Sequence, residues 1–219
     1  MVEHQSTTAS LVSTDNHQPG REPRFFDVAL AQRAVREFSD RPVTDQQVEA
    51  CLQAATHAPS AENRQPWVFV VVRDAALRGA LAELTRRAWL DGARQHSTGR
   101  LPERLLAEVD RGARSGIGTA PVIVVVCGDS ALGLEQTLAA SVFPAVQNLL
   151  LAAGALGLGS AMTTLATRYG DELRRLLELP PTARPMAVVP IGWPARPPGP
   201  PRRLPLADRV HRDRYGRPW

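Results

Sequence analysis

Residues 137–156 constrain the fold more than any other segment, because they have the pattern of a long helix that is apolar on nearly every side. Val142 and Leu149 lie on one face at helical spacing, and Leu151 lies on the other. A helix of this kind has to be buried all round. In a chain of 219 residues the simplest cover for the second face is another subunit. Pro144 either lies in the first turn or kinks the helix, and the sequence leaves both open.

Shorter patterns of helices and strands alternate on both sides of this segment. A helix is predicted over residues 44–56, where Thr44 and Gln47 have the spacing of a capping box. The same periodicity predicts further helices at 77–89, 102–114 and 171–178. Continuous apolar runs at 67–72 and 122–127 predict two strands that helices cover on both faces. A short strand is predicted at 159–164, ending at Thr164, and a further apolar strand at 186–191.

Composition indicates a chain with a sizeable core and two terminal segments outside it. Hydrophobic residues make up 43% of the sequence, yet no continuous apolar run approaches the roughly 20 residues of a membrane span. Residues 1–23 lack the pattern of a secretory signal and are predicted to be a disordered leader. The folded domain is predicted over 24–219, with a proline-rich, extended C-terminal arm at about 194–219.

Two further features of the composition bear on location and partners. Cys51 and Cys127 have neither disulfide nor metal-ligand spacing, which predicts a reduced, cytoplasmic protein without a metal. All 26 basic residues are arginine, and the formal net charge is +4. Because the chain lacks a nucleic-acid-binding motif, we favour contact with a phosphate group over a nucleic-acid role.

A polar loop with two prolines precedes the first predicted strand, in the sequence APSAENRQPWVFVVV of residues 58–72. Pro59 and Pro66 restrict the backbone, while Ser60, Asn63 and Gln65 supply hydrogen-bond donors and acceptors. Loops against a sheet edge are common places for binding sites. Taken alone, however, the segment is more typical of an ordinary connection between a helix and a strand, because loops are generally polar.

Three more segments follow the order and spacing of one family of flavoproteins. They are QRAVREF at residues 32–38, GLGSAMTTL at 157–165, and the arginine pair in PPRRLPL near the C-terminus. Together with the loop at 58–72, they make the chain resemble the nitroreductase family of FMN-dependent oxidoreductases. The resemblance extends from about residue 24 to the C-terminus.

This resemblance implies an α+β fold, with a central, mostly antiparallel sheet flanked by helices and a homodimer whose long buried helix lies at the interface. It also implies the cofactor FMN, whose phosphate meets an early basic segment and a late basic pair. A proline–serine–asparagine loop lies along the flavin, and a threonine pair presents backbone and hydroxyl groups near its N5 and O4 atoms. The implied cofactor-binding residues are Arg33, Ala34, Arg36, Pro59, Ser60, Asn63, Thr163, Thr164, Arg202 and Arg203.

Each of these residues also has a purely structural interpretation. Arg33 and Arg36 could mark a solvated helix end, Ser60 and Asn63 could cap a turn, and a threonine pair is common in buried strands. Two positions differ from the usual family pattern, since Gln32 replaces a basic residue and Ala34 replaces a serine. The missing hydroxyl removes a hydrogen bond worth about 1 kcal/mol.

The activity implied by the resemblance is NAD(P)H-dependent reduction of nitroaromatics, quinones or similar electron-poor small molecules, by ping-pong hydride transfer. The flavin carries the hydride, so no catalytic side chain is expected. Residues 75–118 correspond to the variable segment on the substrate side. Two alternatives stay open: a related reaction, such as oxidation of cyclic dipeptides or azolines or deiodination of iodotyrosine, and a flavin-sequestering protein without turnover.

Overall fold

The computed structural model describes residues 24–219, so the predicted leader at 1–23 lies outside the described residues. A central sheet has four strands in the order β1-β2-β4-β3, and every neighbouring pair is antiparallel. The strands are β1 (Trp67–Val72), β2 (Val122–Asp129), β3 (Gly159–Ser160) and β4 (Ala183–Gly192). The predicted α+β class with an antiparallel sheet is confirmed.

Seven α-helices surround the sheet in the described part of the chain. They are α1 (Phe25–Ala31), α2 (Asp45–Thr56), α3 (Ala75–Ala88), α4 (Arg94–Ser97), α5 (Glu103–Arg114), α6 (Glu135–Ala155) and α7 (Gly170–Leu176). The capping box of α2 is confirmed, because Thr44 N–H donates to Gln47 Oε1 at 3.0 Å and Gln47 N–H donates to Thr44 Oγ1 at 3.2 Å. A single π-helical turn, Trp89–Ala93, joins α3 to α4.

The core consists of two layers, one on each face of β2. Side chains alternate along a strand, so Val124 and Val126 pack towards α6 while Ile123 and Val125 pack towards α3 and α7. The prediction that helices cover both faces of a strand holds for β2. β1 also contributes to both layers, with Trp67 on the α6 side and Val72 on the α3 side, although Val71 on this edge strand is 36% exposed.

Helix α6 buries one face completely and leaves the opposite face partly open. Leu138, Val142 and Leu149 are fully buried against α2 and the sheet. Pro144 lies inside the helix and not in its first turn, which decides between the two places that the sequence left open. Because proline has no N–H, the carbonyl of Ala140 lacks its helical partner. Ala140 is exposed, so water can hydrate this carbonyl.

Helix α6 is also long and apolar enough to pass as a membrane span. It has 21 residues and a mean hydropathy of 1.5, with 44% of the tested window buried inside the protein. The search for uninterrupted apolar runs does not find this helix, because Gln147 and Asn148 interrupt its apolar residues.

The segment after Gly159 and the helix that follows differ from their predicted ranges. The strand ends at Ser160, and Thr163 forms an isolated antiparallel bridge with Val188, so the predicted continuous strand to Thr164 is wrong. Helix α7 begins at Gly170 and stops before Glu178, which has a φ of 52°. A residue with positive φ cannot continue a right-handed helix.

We predict that Gly116→Ala destabilises the protein by about 1–3 kcal/mol, because its Cβ would lie 1.9 Å from the carbonyl oxygen of Arg36. The matched control is Gly79→Ala in α3, whose Cβ meets nothing within 4 Å and which we expect to stabilise the helix by about 0.5–1 kcal/mol. Urea unfolding of both variants measures the difference. Equal stability of Gly116→Ala and wild type would contradict the close packing of residue 36 on this glycine.

Candidate functional site

The early arginine segment is extended. Helix α1 ends at Ala31, and the backbone continues in an extended conformation from Gln32. The N–H of Val35 donates to the Ser160 carbonyl at 2.9 Å, so this segment runs beside β3. Arg33 and Arg36 therefore do not lie at a helix end, and both residues line the same cavity.

This cavity has a volume of about 340 Å³ and a strongly basic lining. Its walls come from three parts of the chain: the extended segment, helix α5 and the C-terminal arm. Five arginines and two glutamates line it: Arg33, Arg36, Arg104, Arg111, Arg196, Glu37 and Glu108. We call it the arginine cavity.

Each glutamate in the arginine cavity contacts two of the arginines. Glu37 accepts hydrogen bonds from Arg111 Nε at 3.0 Å and from Arg196 Nη2 at 2.9 Å. Glu108 lies 3.7 Å from Arg33 Nη2 and 3.4 Å from Arg104 Nε. The two carboxylates cannot neutralise five guanidinium groups, so the cavity keeps a positive charge.

Arg36 is the guanidinium of this cavity that lacks a direct partner in the described part of the chain. Among residues 24–219 its side chain has neither a hydrogen-bond acceptor nor an ion-pair partner within salt-bridge distance. Burial lowers the pKa of Arg36, the Glu108 carboxylate partly offsets this, and the neighbouring Arg33 lowers the pKa further. A half-buried cation without a partner is destabilised, and a bound anion would relieve this cost.

The late arginine pair returns to the early segment. Arg203 Nη2 donates to the carbonyl of Gln32 at 3.0 Å, and Arg33 Nη1 donates to the carbonyl of Gly199 at 2.6 Å. The C-terminal arm therefore crosses the segment that carries Arg33. The Arg202 side chain is exposed, and its carbonyl accepts from Arg203 Nη1.

The proline–serine–asparagine loop has an unusual backbone. Glu62, Asn63 and Gln65 have φ values of 54°, 54° and 50°. Ser60 Oγ accepts from the Gln65 N–H at 3.0 Å, and Asn63 Oδ1 accepts from Gln65 Nε2 at 3.2 Å. Pro59 is exposed. Backbone strain of this kind clusters at binding sites, so three such residues in four positions indicate more than a simple connection.

Within one protomer this loop lies far from the arginine cavity. The loop is held near the start of α6, where Ala61 N–H donates to Ser141 Oγ at 3.1 Å. The arginine segment is held near the far end of α6, where Val28 lies beside Gly154. Thirteen residues of helix correspond to about 20 Å. The protomer therefore does not bring Ser60 and Asn63 to the arginines.

The threonine pair lies on the chain that leaves β3. The Thr163 N–H donates to the Val188 carbonyl at 3.0 Å, and the Val188 N–H donates back at 2.9 Å. The backbone of Thr163 is therefore occupied within the protomer. Thr164 is exposed, and its N–H has no acceptor among residues 24–219. Of the two backbone donors, only that of Thr164 is free to meet a ligand.

The residues that α5 contributes to the cavity were not among the site residues predicted from the sequence. Arg104, Glu108 and Arg111 recur at spacings of four and three, which places them on one helix face. This pattern was visible in the predicted helix 102–114. Which wall that face lines depends on tertiary packing.

Asp110 holds α5 in this position. Its carboxylate accepts from Trp89 Nε1 at 2.8 Å and from the Nε atoms of Arg94 and Arg114, each at 2.9 Å. The hydrogen bond from Trp89 is the largest contribution that lowers the pKa of Asp110. The π-helical turn and α5 are thus joined at one carboxylate.

Comparison with known proteins agrees with this geometry. Residues 29–193 match the sequence model of the Nitroreductase family, and the chain belongs to that family. A protein of Methanothermobacter thermautotrophicus, named among the NADH dehydrogenases and NAD(P)H nitroreductases, is 31% identical over 214 residues, covering 95% of this chain and 97% of that protein. The oxygen-insensitive NADPH nitroreductase of Salmonella typhimurium is 32% identical over 195 residues, covering 87% of this chain and 74% of that protein.

A solved structure with the same fold contains a flavin. The crystal structure of oxidized iodotyrosine deiodinase bound to FMN and 3-iodo-L-tyrosine superimposes with a TM-score of 0.70 at 25% sequence identity. The alignment covers 87% of this chain and 99% of the deiodinase chain.

Proposed function

We propose that this protein is an FMN-dependent oxidoreductase that takes electrons from NAD(P)H and passes them to an electron-poor small molecule, such as a nitroaromatic or a quinone. The observation that carries the proposal is Arg36, which lines the arginine cavity with Arg33 and has no partner among residues 24–219. Arg203 contacts the adjoining backbone at the Gln32 carbonyl. Membership of the nitroreductase family supports the same activity.

The residues of this cavity fit the terminal phosphate of FMN. A phosphate monoester carries a charge of about −1.5 to −2 at neutral pH and offers three acceptor oxygens. Guanidinium groups bind such oxygens in pairs. Arg33 and Arg36 line the cavity, and Arg203 contacts the same segment through the Gln32 carbonyl, so an early and a late segment would both supply guanidinium groups to a single terminal phosphate.

FMN, when bound, supplies hydride chemistry at its N5 atom. The protein then has to bind the cofactor, orient it and polarise its reactive edge. Arg33, Arg36 and Arg203 neutralise and anchor the phosphate, and the free N–H of Thr164 is suited to donate towards the reactive edge. Donor and acceptor need the same exposed flavin face, which gives the ping-pong order.

A homodimer is part of this proposal, because one protomer separates the two halves of the site by about 20 Å along α6. Antiparallel contact of α6 with its copy would bring the loop at 59–65 of one protomer to the arginine cavity of the other. The outer face of α6 supports this contact, since Ala139, Ala140 and Ala155 are exposed and Phe143 and Leu151 are only half-buried.

We also place the protein in the reduced cytoplasm. Cys51 and Cys127 are free and buried, and burial raises the pKa of the two thiols to about 11 and about 12. Such thiols react slowly with oxidants or partners.

A second candidate function is reductive deiodination. It is favoured by the structural similarity to an iodotyrosine deiodinase. The basic cavity offers partners for a carboxylate as well as for a phosphate. The same enzyme preparation distinguishes the two reactions, since release of iodide from 3-iodotyrosine would favour deiodination.

The reductase activity predicts that the purified protein releases FMN on denaturation and that anaerobic NAD(P)H bleaches the bound flavin. Steady-state rates with a nitroaromatic or quinone should give parallel double-reciprocal plots. Intersecting plots would indicate a ternary complex. Bound FMN that neither nicotinamide reduces would contradict the proposal and favour an oxidase or a flavin-sequestering protein.

The phosphate site predicts that Arg33→Ala and Arg203→Ala each weaken FMN binding about tenfold to a hundredfold, because each removes a charge-assisted hydrogen bond. The double variant should lose less than the sum, since the remaining guanidinium groups can rearrange. Titration of FMN into the apo proteins measures this. Arg174→Ala, which removes an exposed arginine paired with Asp171 outside the cavity, is the control. Unchanged affinity in both cavity variants would mean that the phosphate binds elsewhere.

The divided site predicts a dimer of the FMN-loaded protein at micromolar concentration, measured by light scattering. Leu151→Asp, on the outer face of α6, should dissociate it and weaken FMN binding at the same time, because a buried charge at an interface is costly. The control is Leu132→Asp, at a residue 47% exposed outside α6. A holo monomer of the wild type would contradict the composite site.

A further inference from the structure

Glu37 joins two arginines that come from separate elements of the fold. Its Oε1 accepts from Arg111 on α5, and its Oε2 accepts from Arg196 on the C-terminal arm. Both guanidinium groups line the arginine cavity, and they are about half and two-thirds exposed. We call these three residues the Glu37 clamp.

In the clamp, the Glu37 carboxylate fixes both guanidinium groups, and each group keeps N–H donors that this contact does not use. Arg111 uses Nε for Glu37, so its two Nη groups are free for another ligand; Arg196 uses Nη2, which leaves Nε and Nη1. One carboxylate between two guanidinium groups leaves a net positive charge. Each guanidinium group is planar and can bind a phosphate through two hydrogen bonds, so the pair suits a phosphate better than a single lysine would.

The phosphate of FMN does not account for this second set of donors. The proposed phosphate site already uses Arg33, Arg36 and Arg203, and the charge of one phosphate is met by two or three arginines. Arg111 and Arg196 instead share the Glu37 carboxylate, so they form a second pair of guanidinium groups in the same cavity. This pair is available to a second anion.

We infer that the Glu37 clamp binds the 2′-phosphate of NADPH and so selects NADPH over NADH as the electron donor. This inference rests on the proposed function, because it assigns a substrate to the same site. The 2′-phosphate is the one group by which NADPH differs from NADH, and it is the dianion for which a pair of arginines is suited. A purely structural alternative is that the clamp only ties the arm to α5.

Kinetics with the two donors separate these roles. In FMN-loaded Arg111→Ala and Arg196→Ala, we expect the ratio of kcat/KM for NADPH to that for NADH to fall about tenfold, through loss of charge-assisted hydrogen bonds. Arg86→Ala, an exposed arginine that pairs with Glu83 on α3, is the matched control and should leave the ratio unchanged. Equal losses with both donors would show a tie between arm and helix and would overturn the inference. An unchanged ratio would overturn it as well.

A binding measurement tests the clamp without turnover. By calorimetry, the FMN-loaded wild type should bind adenosine 2′,5′-bisphosphate about tenfold more tightly than adenosine 5′-monophosphate, and Arg196→Ala should lose this difference. Equal affinity of the wild type for the two nucleotides would overturn the inference. If neither nicotinamide bleached the flavin, the proposed reductase would fail, while the nucleotide comparison would still decide whether the clamp recognises a 2′-phosphate.

Discussion

The extended segment 33–38 is the element on which the rest of the site depends. Val35 binds it to β3, the Phe38 N–H donates to Thr119 Oγ1 at 3.2 Å, and the Glu37 carbonyl accepts from the Ala195 N–H at 3.1 Å. Gly112 and Gly116 allow α5 to lie directly against Arg36, because any Cβ there would overlap with residue 36. Sheet, helix and arm thus meet on six residues. Their backbone hydrogen bonds fix the position of the arginines before any ligand arrives.

Charge balance in the arginine cavity follows from this geometry. Unpaired guanidinium groups that lie close together and partly buried are destabilised by desolvation and mutual repulsion. Two glutamates reduce this cost, because each contacts two arginines. Arg36 receives no such contact within the described part of the chain, and the burial that lowers its pKa shows the cost. The ion pairs therefore position some of the arginines and leave Arg36 available to the proposed phosphate.

The position of the strained loop relative to helix α6 is the basis of the proposed site between two protomers. Helix α6 packs one face on the core and holds the loop near its first half and the arginine segment near its far end. The length of the helix keeps the two apart. In the proposed dimer, a single two-fold contact would cover the open apolar face of α6. The same contact would bring the loop of one protomer to the arginine cavity of the other.

Local patterns in the sequence determined the elements and the residue types of the site. Helices α2, α3 and α5 and the strands β1 and β2 follow from periodicity and capping, because these depend on near neighbours in the chain. The motif residues at 33–36 and 202–203 identified the family for the same reason. Only the tertiary structure decided that residues 33–36 are extended, that the Thr163 backbone is occupied by Val188, and that Arg36 has no partner among residues 24–219. Each of these depends on contacts between residues far apart in sequence, which no local pattern encodes.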